Sequence, residues 1–163
     1  MLLRSILIIF IISLNACGFT PVYKQNNSYF EANEKLASVK VNTDRGLNEQ
    51  YFSSRLNVLL NPTEIDAEKK YDLNIKLSVA STPLAIQQDR TVTRYKVTVG
   101  ANYTLKDKAN DNILSEGTIQ REGGFDKVDS NYATYISEED SKRRVTKELA
   151  EDMKLRIISV LLK

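Results

Sequence analysis

Two stretches alternate so strictly that a half-buried β-strand is the conformation that suits them. In YDLNIKLSV, Tyr71, Leu73, Ile75, Leu77 and Val79 fall on one side, and Asp72, Asn74, Lys76 and Ser78 on the other. In TVTRYKVTVGANYTLKD, Tyr95, Val97, Val99, Ala101, Tyr103 and Leu105 share a side; Arg94, Lys96, Thr98, Asn102 and Thr104 share the opposite one. A period of two places one face on a core and the other in water. One wet face is the mark of an antiparallel sheet. KDKANDN at 106–112 reads as a hairpin loop, and ILSEGTIQREGGF at 113–125 as the returning strand. Pro83 is expected to interrupt the chain between the two alternating stretches. LASVKVNT, Leu36 to Thr43, alternates more weakly and reads as a first short strand, followed by a turn at Asp44–Gly46.

Strands with one apolar face need a cover, and two segments have the helical period to supply it. In LNEQYFSSRLNVLLNP, Phe52, Leu56, Leu59 and Leu60 fall at i, i+4, i+7 and i+8, and Asn61-Pro62 ends the run. Near the C-terminus Val145, Leu149, Met153 and Ile157 repeat every four residues, widened by Ile158 and Leu161. Ser137 with Asp140 resembles a capping box that starts this helix. Glu138, Glu139 and Asp140 then load its first turn, with Arg156 and Lys163 near its end. Glu139–Arg143 and Asp140–Arg144 have the spacing of helix ion pairs. The order strand, helix, three strands, helix gives an α+β two-layer sandwich. One mostly antiparallel sheet of about four strands is covered on one face by two helices.

The N-terminus obeys different rules. Leu2 to Leu14 is an apolar run of about thirteen residues, short of the roughly 18–20 that span a bilayer. Arg4 lies at its start and small residues follow it, the plan of a secretory signal peptide. The run ends in Leu14-Asn15-Ala16-Cys17, similar to the bacterial lipobox, and Cys17 is the sole cysteine. Residues 1–16 are therefore expected to be a lipoprotein signal peptide, with Cys17 carrying a covalent lipid. Gly18, in place of Asp, leans the sorting toward an outer membrane. Residues 17–35, polar and carrying Pro21 and an Asn pair, read as an acylated tether, which leaves 36–163 as a single domain.

What is missing narrows the chemistry. The chain has no histidine and no second cysteine. Histidine-dependent triads, Cys-His dyads and the usual zinc sites are excluded, and REGGF lacks the spacing and lysine of a phosphate loop. No metal or other cofactor is expected, and no enzyme. With 23 Lys plus Arg against 21 Asp plus Glu, the balance argues against bulk nucleic-acid binding.

Three parts of the chain together resemble the LptE family of lipopolysaccharide-assembly lipoproteins, in its alphaproteobacterial form. They are ACGFTPVY after the lipobox, IQQDRTVTRYKVTVGANYTL, and VDSNYATYISEEDSKRRVTKELAEDMKLRI. The distinctive positions are Cys17, Gly18, Phe19, Pro21 and Tyr23, then Asp129, Ser130, Tyr132, Ala133 and Thr134. The resemblance implies a two-layer α+β fold. It also implies an outer-membrane lipoprotein that plugs a β-barrel partner, LptD, and helps to deliver lipopolysaccharide to the outer leaflet. Apart from that resemblance, an accessory periplasmic lipoprotein binding a soluble ligand or a cell-wall component fits the same residues. Arg90, Arg94, Lys96, Arg121 and Lys127 are the candidates for lipopolysaccharide contact, because antiparallel pairing brings the start of one strand beside the end of the next. Guanidinium forks suit lipid phosphates; ordinary charges on a wet face would look the same. Tyr132 and Tyr135 are candidates for barrel contact, or for packing beneath the connection that precedes the last helix.

Overall fold

The structure, a computed structural model, describes residues 26–86 and 92–162. The chain divides into two units, Met1–Glu31 and Ala32–Lys163, and nearly all of the described residues belong to the second. The elements are α1 (Asn26–Ala37), β1 (Val39–Thr43), α2 (Leu47–Leu60), β2 (Tyr71–Ile86), β3 (Val92–Asp107), β4 (Ile113–Asp126) and α3 (Asn131–Leu161).

The second unit carries one four-stranded sheet in the order β1-β2-β3-β4. β1 and β2 are parallel, with Val39 beside Tyr71 and Thr43 beside Ile75. β2–β3 and β3–β4 are antiparallel, as their alternation requires. Leu73, Leu105 and Ser115 share one row of the pleat; Tyr95 and Phe125 form another and stack, with ring centroids 5.2 Å apart. Leu73, Ile75, Val97, Val99, Ala101, Tyr103 and Leu105 are buried, while Asn74, Lys76 and Asn102 on the other side of the pleat are exposed. The apolar side meets the helices. Phe52, Leu56 and Leu60 of α2 and Val145, Leu149, Met153, Ile157 and Leu161 of α3 complete one core. The sandwich and its mostly antiparallel four-stranded sheet are thus as expected.

α3 rides on β4 because β4 is small where they meet. Its covered side reads Ser115, Gly117, Ile119, Arg121, Gly123 and Phe125, by register with the buried row of β3. A Cβ on Gly123 would stand 2.5 Å from Val145 Cγ2, and no described glycine has positive φ. Close approach, not backbone freedom, is what Gly123 provides.

Four boundaries differ from the sequence expectation. The stretch read as tether overlaps α1, whose last residues Leu36 and Ala37 are buried and whose end is closed by Ser38 Oγ donating to Lys35 C=O at 2.6 Å. Leu36 and Ala37 therefore end a helix, and β1 starts at Val39. Pro83 does not interrupt the chain: β2 runs through it to Ile86, with register shifts around Ala85. The reason is that β1 pairs only as far as Ile75, so among the described residues Pro83 lies where β2 has a neighbour on one side only. Edge strands tolerate a missing N–H. Finally, α3 begins at Asn131 and not at Ser137; its cap is Ser130, whose Oγ accepts from Ala133 N–H at 3.3 Å.

Candidate functional site

The end of the sheet where β3 begins and β4 stops collects most of the candidates. The register sets Arg94 opposite Asp126 and Lys96 opposite Gly124. Both side chains lie on the uncovered face, and each meets a carboxylate: Arg94 Nε is 3.6 Å from Asp126 Oδ1, and Lys96 Nζ donates to Glu122 Oε1 at 3.0 Å. Lys127 follows directly, its backbone N–H donating to Thr93 C=O at 2.9 Å. Among the described residues Lys127 makes no ion pair. Cys17 and Arg90 lie outside the described residues.

Arg121 does not join this group. Its partner in register is Val99, which puts it on the helix-covered side. There its guanidinium forks onto Asp152 of α3, with Nε donating to Oδ2 and Nη2 to Oδ1, the latter at 2.7 Å. Arg121's hydrogen bonds hold the Asp152 carboxyl below the usual carboxylate range, against the opposing effect of burial. The same bonds and charge raise Arg121 further. Of the candidate cations among the described residues, Arg94 and Lys96 therefore share the uncovered face and Arg121 lies on the other.

The connection into α3 is folded back on the helix. Thr134 Oγ1 donates to Val128 C=O and accepts from Val128 N–H, both at 3.1 Å, and Thr134 N–H donates to Ser130 C=O at 3.0 Å. This clamp leaves the tyrosines outside. Tyr132 is 75% exposed and Tyr135 59%. Neither packs beneath the connection. Leu84, Val128 and Ile136 are exposed at the same end of the molecule and were not singled out from the sequence. A signal for Ile136 existed. Tyr132, Tyr135 and Ile136 stand at i, i+3 and i+4, one helical stripe. At 3.6 residues per turn that stripe is out of phase with Val145 and Leu149.

Further along α3 a second set of charges binds helix to sheet. Glu138 accepts from Ser81 Oγ of β2 at 2.8 Å. Lys142 Nζ reaches Glu138 at 2.9 Å and Glu139 at 3.0 Å. The bond from Lys142 lowers the Glu138 carboxyl. Burial pulls Lys142 down, but its two carboxylate partners outweigh that and leave it raised. Because α3 starts at Asn131, Glu138 and Glu139 lie beyond its first turn, and Lys142 rather than the helix dipole is their partner. Asp140–Arg144 forms as expected, at 3.6 Å, whereas Glu139 pairs with Lys142 in place of Arg143. Beside Glu139 a groove of about 450 Å³ opens between the helices, lined by Leu47, Asn48, Gln50, Tyr51, Ser54, Glu139 and Arg143. Among the described residues no group of three or more His, Cys, Asp or Glu is placed to hold a metal, and no helix is long and apolar enough to cross a membrane. The described surface thus carries paired charges on an open sheet face, with a stripe of Tyr132, Tyr135 and Ile136 at its end.

A mixed four-stranded sheet under two helices, in this order, is the two-layer α+β fold of several bacterial lipoproteins. A putative lipoprotein from Caulobacter crescentus superimposes with a TM-score of 0.62 at 19% identity, over 79% of this chain and 93% of that one. Rare lipoprotein B from Shewanella oneidensis gives 0.57 at 12% identity, over 74% and 92%. A minor lipoprotein from Acinetobacter baumannii gives 0.59 at 14%, over 74% and 90%. No curated protein matches the sequence. The family itself is shown by residues 29–157, which match LptE, lipopolysaccharide-assembly. The chain belongs to the LptE family.

Proposed function

We propose that this protein is an outer-membrane lipoprotein, held by lipid on Cys17, that plugs and helps to assemble the LptD β-barrel for lipopolysaccharide insertion. It acts by binding and not by catalysis. Family membership over 29–157 supports lipopolysaccharide assembly. The observation that carries the plug reading is the exposed stripe of Tyr132, Tyr135 and Ile136. Tyrosine presents a large apolar body with a polar tip and is favoured where a protein surface is to be covered. Leaving three such residues in water on a helix that has its own complete core stripe makes sense if a partner covers them. On the uncovered face nearby, Arg94 and Lys96 offer cations to lipid phosphates, in exchange for the carboxylates that now hold them, and Lys127 stands at the same end of the sheet.

The test is co-purification from a lipopolysaccharide-producing host. Tagged wild-type protein is expected to carry a large β-barrel protein through detergent extraction. The double variant Tyr132→Ala, Tyr135→Ala is expected to retain at least tenfold less of it with an unchanged melting temperature. A wild-type protein that emerges alone refutes the reading and favours an accessory lipoprotein with a soluble or cell-wall ligand.

A further inference from the structure

Among the described residues, β2 has a neighbour on one side only along its upper half. β1 stops at Thr43, opposite Ile75, whereas β2 continues to Ile86. Which backbone groups this leaves open follows from the alternation of the ladder. Tyr71 N–H donates to Ser38 C=O, so odd residues of β2 turn their N–H and C=O toward β1. Thr93 C=O accepts from Lys127 N–H, so odd residues of β3 turn toward β4 and even ones toward β2. The register Lys76–Asn102, Ser78–Gly100 and Ala80–Thr98 agrees: even residues of β2 serve β3. Leu77, Val79 and Ser81 therefore aim their backbone groups at the side β1 has vacated. No backbone or side-chain group of any described residue outside the sheet bonds to them. Pro83, next in this series, has no N–H to offer, and the irregular pairing at Ala85 follows. The open window thus runs from the end of β1 to Pro83.

The other edge of the sheet differs. Even residues of β4 face outward there, and Gly124 C=O is already taken by Ser141 Oγ at 3.2 Å and Arg144 Nη2 at 3.3 Å. Glu116, Arg121 and Glu122 set charges along that strand, the usual defence of an edge. The β2 window has Lys76 alone. Its covered side shows Leu77 and Val79 half-buried, packed on the core and unroofed on one flank. α2 packs on β1 and α3, and the groove between α2 and α3 opens next to Glu139, whose neighbour Glu138 is bonded to Ser81 of β2. The exposed Leu47 and Tyr51 stand on its rim.

We infer that the Lys76–Thr82 edge of β2 is a strand-addition site that takes an extended segment of the protein's barrel partner. This inference rests on the plug reading above. Unpaired N–H and C=O groups at two-residue spacing are matched by an extended backbone, and main-chain bonding of this kind is a recurrent mode of peptide capture. The strands of a closed barrel wall are paired on both sides, so the segment comes from outside the wall. Its alternate residues are apolar, to continue the row beside Leu77 and Val79. The others are acidic or polar, because Lys76 on the uncovered face has no ion pair among the described residues.

Hydrogen exchange read peptide by peptide tests this, on the full-length protein alone and in its detergent-purified complex with the barrel. In the free protein the Leu77, Val79 and Ser81 amides are expected to exchange as open amides. In the complex they are expected to slow at least tenfold. Val79→Pro removes one edge N–H while keeping an apolar ring, and is expected to cut barrel retention at least tenfold. Leu77→Lys, which leaves the backbone intact, serves as a second variant if Val79→Pro does not fold. A complex in which the barrel is retained and these amides still exchange freely overturns the inference and leaves the plug reading standing. Absence of any barrel from the wild-type preparation overturns both. Protection that grows with the concentration of the protein alone assigns the edge to a second copy and overturns the barrel assignment.

Discussion

Substituting Gly123 by alanine adds a single methyl group, yet it should be among the more damaging small changes in the molecule. Gly123 sits in the covered row of β4, opposite Val97, directly under α3. The new Cβ would stand 2.5 Å from Val145 Cγ2 and 3.5 Å from Ser141 Oγ. Real carbon contacts do not reach the first distance, so something must move. Val145 is 1% exposed, and a β-branched side chain in a helix has essentially one χ1 state. The strain passes to the helix–sheet spacing, and overpacking of this kind costs about 1–3 kcal/mol. Val145→Ala alone removes two buried methyl groups and leaves a void, a loss of about 2 kcal/mol. In the double variant the added methyl enters the space the valine vacated. The two losses then fail to add, by ~1–2 kcal/mol, as expected for residues in contact. Urea unfolding of the four proteins measures this. With a slope of about 2 kcal/mol per molar, each single variant shifts its midpoint by ~1 M, and the double variant shifts little further. Losses that add to within about 0.5 kcal/mol would refute the packing of α3 on β4 at Gly123.

Two further outcomes follow from the charges. Asp152 is held below the ordinary carboxylate range in the folded protein, so folding is favoured by its ionised form. That contribution is present above the unfolded pKa of about 3.9 and fades as pH falls through the lower folded value. Asp152→Asn should therefore be slightly less stable than wild type at pH 7 and indistinguishable from it at the acid end of a pH series. The difference should also shrink in salt, because the Arg121 side chain is half in water. Arg94→Ala with Lys96→Ala should leave the melting temperature nearly unchanged, since both ion pairs are exposed. The same variant should bind purified lipopolysaccharide several-fold more weakly at low salt, and equal affinity at every salt concentration would remove these residues from the lipid contact.

Alternation carried the sheet because a strand with one wet face writes its burial into every second residue. Tyr95 to Leu105 could be read directly for that reason, and so could the four-residue repeat from Val145 to Ile157. The signal failed wherever a residue's role depended on a neighbour far along the chain. Pro83 looks like a breaker until the shortness of β1 is known, because only then is its missing N–H seen to face an open side. Ser130 and Ser137 are both capable caps. The bonds from Thr134 to Val128, six residues back, favour the earlier one, and capping-box spacing alone cannot weigh them. Arg121 shows the same limit most clearly. As a polar residue among polar residues it reads as part of the wet face, since β4 lacks the apolar rhythm of β2 and β3. Its true side is fixed by register with Val99, and its charge is spent on Asp152, 31 residues away in sequence. The glycines of β4 erase its rhythm, and one of them, Gly123, is also what lets α3 approach. The property that makes the strand hard to read is thus the one that builds the layer. The same logic explains why the surface proposed for binding was only half visible. Tyr132 and Tyr135 are conspicuous by type, whereas the edge of β2 consists of backbone groups that every residue possesses and that, among the described residues, only the length of the adjacent strand leaves unpaired.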